Sequence, residues 1–459
     1  MRASAAPVFD AASFDVSRLG DCLVTGASGY LGASIVARLR DAGVRVHALD
    51  RLACVPELQS GRGEVRWFVG DIRDGALLHA ACEGIQTVFH CAAIIDTATY
   101  ASDARRREVF AVNLGGTKAL LSAARGAGVK RLVYTSSVNV VVDRPYAGAD
   151  ESAAYGTSAR DMYTRSKIAA ERAVLDASTA TMATTALRPG GIYGPGERQH
   201  LGRVVREVSR GRYVAMVAGG RARADNVYID DLVNAQLAAA AALLEGRAAG
   251  RAFFISDGEP ANYFHFFRPV AEQLGVPFPR RSVPARVLRP FTQLAERWGA
   301  WTGERPFLTE MELDKLRWDH FFSIEAARHE LGWVPQVPPA EGFARCEPWI
   351  EQLRKETDVV ERPHLGWWIA IFGGLGLLFW LAFAPNGYRL WRRFLWLPSR
   401  TTLRVIAVIA IALHVGEAAY ARKLAKEHDL DVSGWTWQTF LLGYPSLRLL
   451  LRRVEAKGA

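Results

Sequence analysis

Tyr163 and Lys167 stand four residues apart in the run Asp161-Met162-Tyr163-Thr164-Arg165-Ser166-Lys167. On a helix that spacing puts both side chains on one face. A phenol with an ordinary pKa of about 10 is a poor base at neutral pH. An ammonium beside it favours the phenolate and lowers that pKa. Such a pair can take a proton from an alcohol or return one to a carbonyl, and the lysine can also hold a ribose. Upstream, Val133-Tyr134-Thr135-Ser136-Ser137-Val138 reads as a strand ending in hydroxyls. Ligands bind where a parallel sheet opens at its carboxyl edge. Ser137, with Ser136 as second choice, is placed to hold the reacting oxygen against Tyr163. A turn or helix cap is the plainer role for the two serines.

Alcohol oxidation needs a hydride acceptor, and a stretch near the N-terminus is suited to hold one. Leu23-Val24-Thr25 enters the turn Gly26-Ala27-Ser28-Gly29-Tyr30-Leu31-Gly32, and an amphipathic run from Ala33 to Leu39 leaves it. Val44 to Asp50 reads as the next strand. Glycines there let backbone approach a pyrophosphate and let the helix pack tightly on the sheet. The helix N-terminus adds unpaired N–H groups and a favourable dipole. Gly26, Gly29 and Gly32, with Ser28, Tyr30 and Leu31 in the same turn, form the candidate cradle. Asp50 ends the second strand where a carboxylate would bind the adenosine ribose hydroxyls. It repels a 2′-phosphate, so NAD is favoured over NADP. Arg51 weakens that preference, since an arginine can hold the phosphate.

Strand-like runs at 22–25, 45–49, 65–69, 87–91, 131–135 and 184–187 alternate with helical patterns near 31–41, 75–82, 105–127 and 160–177. This rhythm predicts an α/β fold with a doubly wound parallel sheet. We place a Rossmann core at 21–190, after an N-terminal extension at 1–20. Beyond Pro189 a loop rich in turn residues breaks the rhythm. Short elements at 201–210, 213–217, 230–244, 252–256 and 263–274 predict a smaller substrate lobe over 191–350, interleaved with the core. The segment 284–318 holds Arg286, Arg289, Phe291, Arg297, Trp298, Trp301 and Phe307. It reads either as a lobe helix with packed tryptophans or as a surface facing a membrane or an apolar substrate mouth.

The chain has 459 residues, half of them hydrophobic, and a net charge of +10. That is enough apolar material for a sizeable core. Cys22, Cys54, Cys82, Cys91 and Cys346 lack paired spacing and nearby histidine patterns, so reduced thiols and no metal are expected. Residues 1–20 lack a basic flank with an apolar run, so no signal peptide is expected. No basic stripe with interleaved aromatics occurs in the first 350 residues, so nucleic acid is not an expected partner. Arginines cluster instead beside apolar segments near the C-terminus, which points to anionic lipid.

Residues 351–365 are polar and read as a linker; 366–459 read as a helical membrane-associated region. Gly366–Ala384 carries no charge and is long enough to cross a hydrocarbon core. Leu403–Leu413 and Thr436–Leu451 are further apolar runs. Trp367, Trp368, Trp391, Trp396, Trp435 and Trp437 lie near the ends of these segments, as an aromatic belt would. With the cofactor domain in the cytosol, one span sends Arg389, Arg392, Arg393 and Arg400 to the far side, against the positive-inside tendency. Gly373, Gly374 and Gly376 suggest a bend. True spans and a re-entrant or interfacial anchor both stay open. His414 and Glu417 read first as an intrahelical pair and second as the lining of a polar site.

Further motifs carry a resemblance. Asp71-Ile72, His90-Cys91-Ala92-Ala93, Asn113-Leu114-Gly115-Gly116-Thr117 and Thr135-Ser136-Ser137, with the glycine turn and the Tyr163–Lys167 pair, resemble an extended short-chain dehydrogenase/reductase. Ala92-Ala93-Ile94-Ile95-Asp96, Leu187 to Gly196 and Asn226-Val227-Tyr228-Ile229-Asp230-Asp231 narrow this to the 3β-hydroxysteroid dehydrogenase family, including its sterol-4-carboxylate branch. The similarity covers about residues 20–350. It implies that Asp71 and Ile72 flank the adenine, that Ala92 and Ala93 lie along the dinucleotide, and that Pro189 borders the nicotinamide. Asn113 either supports a proton path or makes a structural hydrogen bond. The C-terminal part departs from the family and looks like an appended membrane module.

The expected activity is NAD-dependent oxidation of a 3β-hydroxyl on a sterol-like lipid, or the reverse reduction. Tyr163 is the acid/base, Lys167 its activator and Ser137 the polarising hydroxyl. A neighbouring 4-carboxylate would leave as carbon dioxide after oxidation. Arg221 and Arg223 are candidate partners for it, with ordinary surface arginines the plainer reading. A nucleotide-sugar epimerase or dehydratase, or a small-ketone reductase, is the second reading; the apolar stretch 263–301 disfavours it. A non-catalytic membrane-bound NAD-binding scaffold is the third, disfavoured by the intact Tyr163–Lys167 pair. The expected partners are the lipid-like substrate and membrane lipid, and a homodimer is left open.

Overall fold

The computed structural model describes residues 9–10, 13–52, 58, 60–98, 101–157, 161–302, 308–392 and 397–458. Cys54, Phe307, Arg393 and Trp396 lie outside the described residues. Two compact units are present, Met1–Leu353 and Arg354–Ala459.

The first unit is built on a seven-stranded parallel sheet. Its strands are β1 (Cys22–Thr25), β2 (Val46–Asp50), β3 (Val65–Val69), β4 (Thr87–His90), β5 (Arg131–Thr135), β6 (Ala183–Pro189) and β7 (Arg251–Ile255). The order across the sheet is β7-β6-β5-β4-β1-β2-β3. The direction of winding reverses between β1 and β4, which opens a crevice at their carboxyl ends. Helices α1 (Tyr30–Asp41), α2 (Gly75–Cys82), α3 (Asp103–Phe110), α4 (Thr117–Gly126), α5 (Met162–Asp176) and α6 (Ile229–Leu244) cover the sheet. Buried side chains of α1 and α6 pack in one core; those of α2, α4 and α5 pack in the other. Along α6, Ala238 to Ala242 are all buried. Their small side chains let the helix lie close to its neighbours.

The pattern near 105–127 is α3 and α4 joined by one π-helical stretch, Ala111–Gly116. A Cβ on Gly116 would sit 2.5 Å from Ile72 Cγ2, so glycine is required there. Two elements expected in the lobe belong to the core. The 230–244 pattern is α6. The 252–256 run is β7, which pairs with β6 from Arg251–Thr185 to Ile255–Pro189. The smaller lobe has a four-stranded sheet of Ala261–Asn262, Arg223–Ala224, His320–Phe322 and Tyr146–Ala149. It also carries α7 (Ala285–Thr302) and α8 (Glu310–Lys315). The stretch read as a linker begins inside a helix, Pro339–Glu356.

One buried ion pair fastens α5 to the sheet. Arg188 of β6 meets Glu171 of α5 at 2.6 Å, with side chains 5% and 0% exposed. Tyr155 donates its hydroxyl hydrogen to Glu171 at 2.8 Å. The Arg188 guanidinium lies over the Tyr155 and Phe254 rings. Because α5 carries Tyr163 and Lys167, this pair sets their height above the sheet.

The second unit is helical. Helices α9 (Leu365–Phe383) and α10 (Arg400–Glu427) are long and apolar enough to cross a membrane. Gly373, Gly374 and Gly376 produce no break; α9 runs unbroken through them. Arg400 and Arg404 donate to carbonyls of Ala382 and Phe383 at the end of α9. The C-terminus of α9 therefore meets the start of α10, and the two form an antiparallel hairpin. Helices α11 (Val432–Leu442) and α12 (Tyr444–Gly458) pack Trp435, Leu447 and Leu450 against Ala421 and Ala425 near the other end of α10. Arg453 there reaches Asp358 at 3.2 Å. His414 bonds the Phe440 carbonyl across to α11, not Glu417.

Glu171→Gln removes the charge opposite a buried guanidinium. It should lower stability by about 3–5 kcal/mol in denaturant unfolding of the full chain in detergent. Adding Arg188→Met should recover part of that loss, and an unchanged midpoint in the single variant would contradict this role.

Candidate active site

A cleft of about 1110 Å³ opens at the carboxyl edge of the sheet. Its lining brings together Gly26, Ser28, Gly29, Tyr30, Leu31, Gly32, Ala93, Ser137, Tyr163, Lys167 and Pro189. Asp50, Arg51, Asp71, Ile72 and Ala92 are not among its lining residues.

Two glycines of the turn have steric reasons to be glycine. Gly26 has φ +71°, and a Cβ on it would lie 2.8 Å from the Ala92 nitrogen. A Cβ on Gly32 would lie 2.0 Å from the Gly26 carbonyl oxygen. Any larger residue there pushes α1 off the turn. Helix α1 begins after Gly29 with no side-chain cap. Its first amides are thus left for a ligand, which suits a pyrophosphate. Asp50 reaches back to this cradle: one oxygen accepts the Ser28 N–H and the other the Leu52 N–H, both at 3.0 Å. Asp71 is engaged by Arg73 at 2.6 Å. That hydrogen bond holds its carboxyl down at about 2, against the effect of burial and with help from Arg51. The Ile72 side chain is buried against Gly116.

Tyr163 lies in the first turn of α5, whose N-cap Asp161 accepts the Thr164 N–H at 2.7 Å. The Ser137 hydroxyl is near enough to the phenol to favour its phenolate form. Ser137 in turn accepts the Asn139 N–H at 3.2 Å. Ser136 lines the same cleft, and its hydroxyl is buried with no hydrogen-bond partner among the described residues. Lys167 donates to the Thr135 carbonyl at 2.6 Å and lies 4.3 Å from the Tyr134 ring centre. Tyr163 is 7% exposed and Lys167 3%. Burial pushes the phenol up to about 12, while Ser137 pulls it down and Asp161 adds to the rise. Burial likewise pushes Lys167 down to about 7. This corrects the expectation of a phenol already made acidic by its neighbour. Desolvation is the largest effect on the phenol, and the ammonium's hydrogen bond goes to the Thr135 carbonyl.

Asn113 has a structural place. Its amide exchanges hydrogen bonds with the Ile94 backbone at 2.7 and 3.0 Å and donates to Ser166 at 2.9 Å. His90 bridges Thr25 and Thr117 at 2.7 and 2.8 Å. Thr117 gives its hydroxyl hydrogen to the Asn113 carbonyl. Nε2 of His90 therefore carries the proton, and Nδ1 accepts from Thr25. Arg221 and Arg223 do not line the cleft; Arg223 pairs with Asp319 at 3.4 Å.

Lys315 was not legible from the sequence. It lines the cleft from α8 and donates to the Asn139 side-chain oxygen. Burial lowers it to about 8, against the opposing charges of Asp161 and Glu312. One lysine thus touches the turn after Ser137 and neighbours the cap of the Tyr163 helix. No spacing relates residue 315 to either. Asp225 also lines the cleft and is pushed up to about 7 by burial. The lobe side of the cleft carries an apolar patch of Met216, Phe264, Leu288, Phe291, Leu308 and Leu316 beside the charged Arg203, Glu207 and Arg212.

Comparisons with known proteins agree with this layout. Residues 23–285 match the 3-beta hydroxysteroid dehydrogenase/isomerase family, and residues 366–452 match Transmembrane protein 254. A 3 beta-hydroxysteroid dehydrogenase/Delta 5-->4-isomerase of Mycobacterium tuberculosis is 38% identical over 354 residues, covering 74% of this chain and 94% of the relative. Short-chain dehydrogenase/reductase family 42E member 1 of Bos taurus is 36% identical over 335 residues, covering 68% and 84%. Among solved structures, MoeE5 in complex with UDP-glucose and NAD is 26% identical with a TM-score of 0.57, over 72% of this chain and 99% of that one.

Lys167 gives the site a pH signature. An unfolded lysine keeps its proton up to about 10.5, whereas the folded one releases it near 7. Between those values the unfolded state binds more protons, so stability rises with pH. Lys167→Met should lack that rise. Its melting temperature relative to wild type should therefore fall between about pH 6 and pH 9, and a constant difference would contradict the burial of a charged lysine.

Proposed function

The chain belongs to the 3-beta hydroxysteroid dehydrogenase/isomerase family, and from that footing we propose that it oxidises the 3β-hydroxyl of a membrane-resident sterol with NAD. It is an oxidoreductase acting on CH–OH groups. The observation that carries the residue assignment is the meeting of Tyr163, Ser137 and Lys167 in the cleft that also holds the glycine turn.

Ser137 holds the alcohol oxygen beside the phenol. Tyr163, as phenolate, takes the hydroxyl proton while the hydrogen on the same carbon leaves as hydride. A nicotinamide cofactor held by the glycine turn would supply the hydride acceptor. Lys167 steadies the phenolate from below and would hold the ribose of a bound cofactor. Asp50, fixed to the cradle through Ser28, favours two free ribose hydroxyls and so NAD over NADP. Pro189 and Ala93 line the cleft, where they would border the dinucleotide. Water is kept from the proton transfer by the burial of both side chains. A substrate with a 4-carboxylate becomes a β-keto acid on oxidation and loses carbon dioxide with no further catalytic group. Lys315, bonded to the turn after Ser137, is the cation placed to receive that carboxylate. MoeE5 holds UDP-glucose, but the apolar patch on the lobe wall here favours a hydrocarbon substrate.

The Transmembrane protein 254 match and the two apolar helices suggest membrane association. In the hairpin of α9 and α10, both ends of the unit lie on one side. Arg354, Lys355, Arg362, Arg422, Lys423, Lys426, Arg452 and Arg453 are at that side, against Arg389, Arg392, Arg400 and Arg404 at the hairpin. The excess favours a cytosolic position for the chain ends, and with them the catalytic unit.

Tyr163→Phe should bind NAD as wild type does, followed by protein fluorescence, while sterol oxidation falls roughly 100- to 10,000-fold. Undiminished turnover would remove Tyr163 from the chemistry. A reporter that fluoresces only in the cytosol should light when fused after Ala459 and stay dark when inserted between α9 and α10. The reverse pattern would invert the orientation.

A further inference from the structure

Between Arg404 and Arg422, helix α10 is apolar except for His414, Glu417 and Tyr420. Ionisable side chains within an apolar span are costly and mark a functional place. Glu417 and His414 stand five and eight residues before Arg422, about 7.5 and 12 Å along the helix. Helix α11 runs back beside this stretch, and the chain turns into α12 at Gly443. Gly443 has φ +64°, and a Cβ on it would lie 2.8 Å from Glu417 Oε2 and 3.0 Å from His414 Nε2. Both side chains thus converge on one point of bare backbone, and the two atoms lie within about 6 Å of each other.

The donors near this point are used elsewhere. The Gly443 N–H goes to the Thr439 carbonyl at 2.7 Å. The buried Thr439 and Ser446 hydroxyls bond each other at 3.0 Å, and the Gln438 amide bonds the Glu361 carbonyl and Ser446. Nδ1 of His414 meets the Phe440 carbonyl at 2.8 Å. A carbonyl only accepts, so Nδ1 carries a hydrogen. Among the described residues, neither Nε2 nor the Glu417 carboxyl has a hydrogen-bond partner. Both side chains are half-buried and so open to a molecule in the surrounding layer. In hydrocarbon, polar groups without partners are unfavourable.

One oxygen can stand in this gap at about 2.8 Å from each group. A hydroxyl both gives and accepts hydrogen bonds, so it can bridge the imidazole and the carboxyl while bringing no charge into the apolar layer. An ammonium would bring one. A metal ion needs further ligands, and no group of three His, Cys, Asp or Glu side chains suits one among the described residues. We propose that His414 and Glu417, over the Gly443 turn, bind the hydroxyl of a membrane lipid alcohol. This second site rests on the membrane reading of the helical unit and is independent of the dehydrogenase chemistry. A sterol and a diacylglycerol both offer such a hydroxyl.

The test uses the full-length protein in phosphatidylcholine vesicles, without NAD. One probe is a sterol with a diazirine in ring B and a free 3-hydroxyl; the other is a diacylglycerol with a diazirine in its acyl chain. After irradiation, mass spectrometry should find label on 411–420 and 438–446 from at least one probe, and the probe that labels identifies the alcohol. The unlabelled alcohol should displace it, and the methyl ether of that alcohol should do so about 10-fold less well. His414→Leu with Glu417→Leu should cut the label by a similar factor at unchanged helix content. Equal displacement by the ether overturns the proposal, since it would mean an apolar groove blind to the hydroxyl. So does displacement by phosphatidylethanolamine alone, or label from neither probe on these stretches. The ether arm uses the unaltered protein, so it decides the matter even where the double variant does not fold. A failed dehydrogenase reading would appear separately, as a wild type that takes label here yet oxidises no sterol.

Discussion

Desolvation governs this site. Tyr163 and Lys167 are both buried at the carboxyl edge of the sheet, and burial drives each toward its neutral form. A phenol at about 12 and an amine at about 7 differ from what the Tyr-x-x-x-Lys spacing suggests when read as an isolated ion pair. The same burial makes every remaining interaction strong. The Ser137 hydroxyl, the Thr135 carbonyl under the ammonium and the start of α5 act in a medium that screens little. Whatever enters the cleft therefore sets the protonation state of the pair. A reacting oxygen seated on Ser137 meets a base whose readiness depends on its company.

That sensitivity explains how much of the scaffold serves position. The Arg188–Glu171 pair pins α5 to β6. The Gly26–Gly32 contact brings α1 against the turn so closely that no side chain fits between them. Asn113 ties the segment after β4 to Ser166 on α5. Each joins a different strand end to the same crevice, and none needs to touch a substrate.

Much of this was legible in the residues. The alternation of strand and helix appears in period and turn chemistry, so the six strands from β1 to β6 and their helices emerged from pattern. Gly26, Gly32, Tyr163, Lys167 and Ser137 stood out because their chemistry requires particular residue types at particular spacings. What stayed hidden depends on tertiary placement. An apolar run such as 252–256 does not declare which sheet it joins; only its pairing with β6 puts it in the core. Lys315 is one lysine far from any motif, and it reaches Asn139 only because the lobe folds back over β5. The direction of the Tyr163 shift was misjudged because spacing reports neighbours and not burial. In α9 the glycines suggested a bend, yet the helix passes through them unbroken. Glycine permits a kink without imposing one.

The most direct measurement uses a 3β-hydroxysterol carrying deuterium on C3, given with NAD to the full-length protein in vesicles. Analysis of both products should find one deuterium on C4 of the reduced nicotinamide for each ketone formed. Ketone without labelled cofactor would contradict direct hydride transfer in this cleft. No ketone at all, beside turnover of a nucleotide sugar, would contradict the sterol assignment itself.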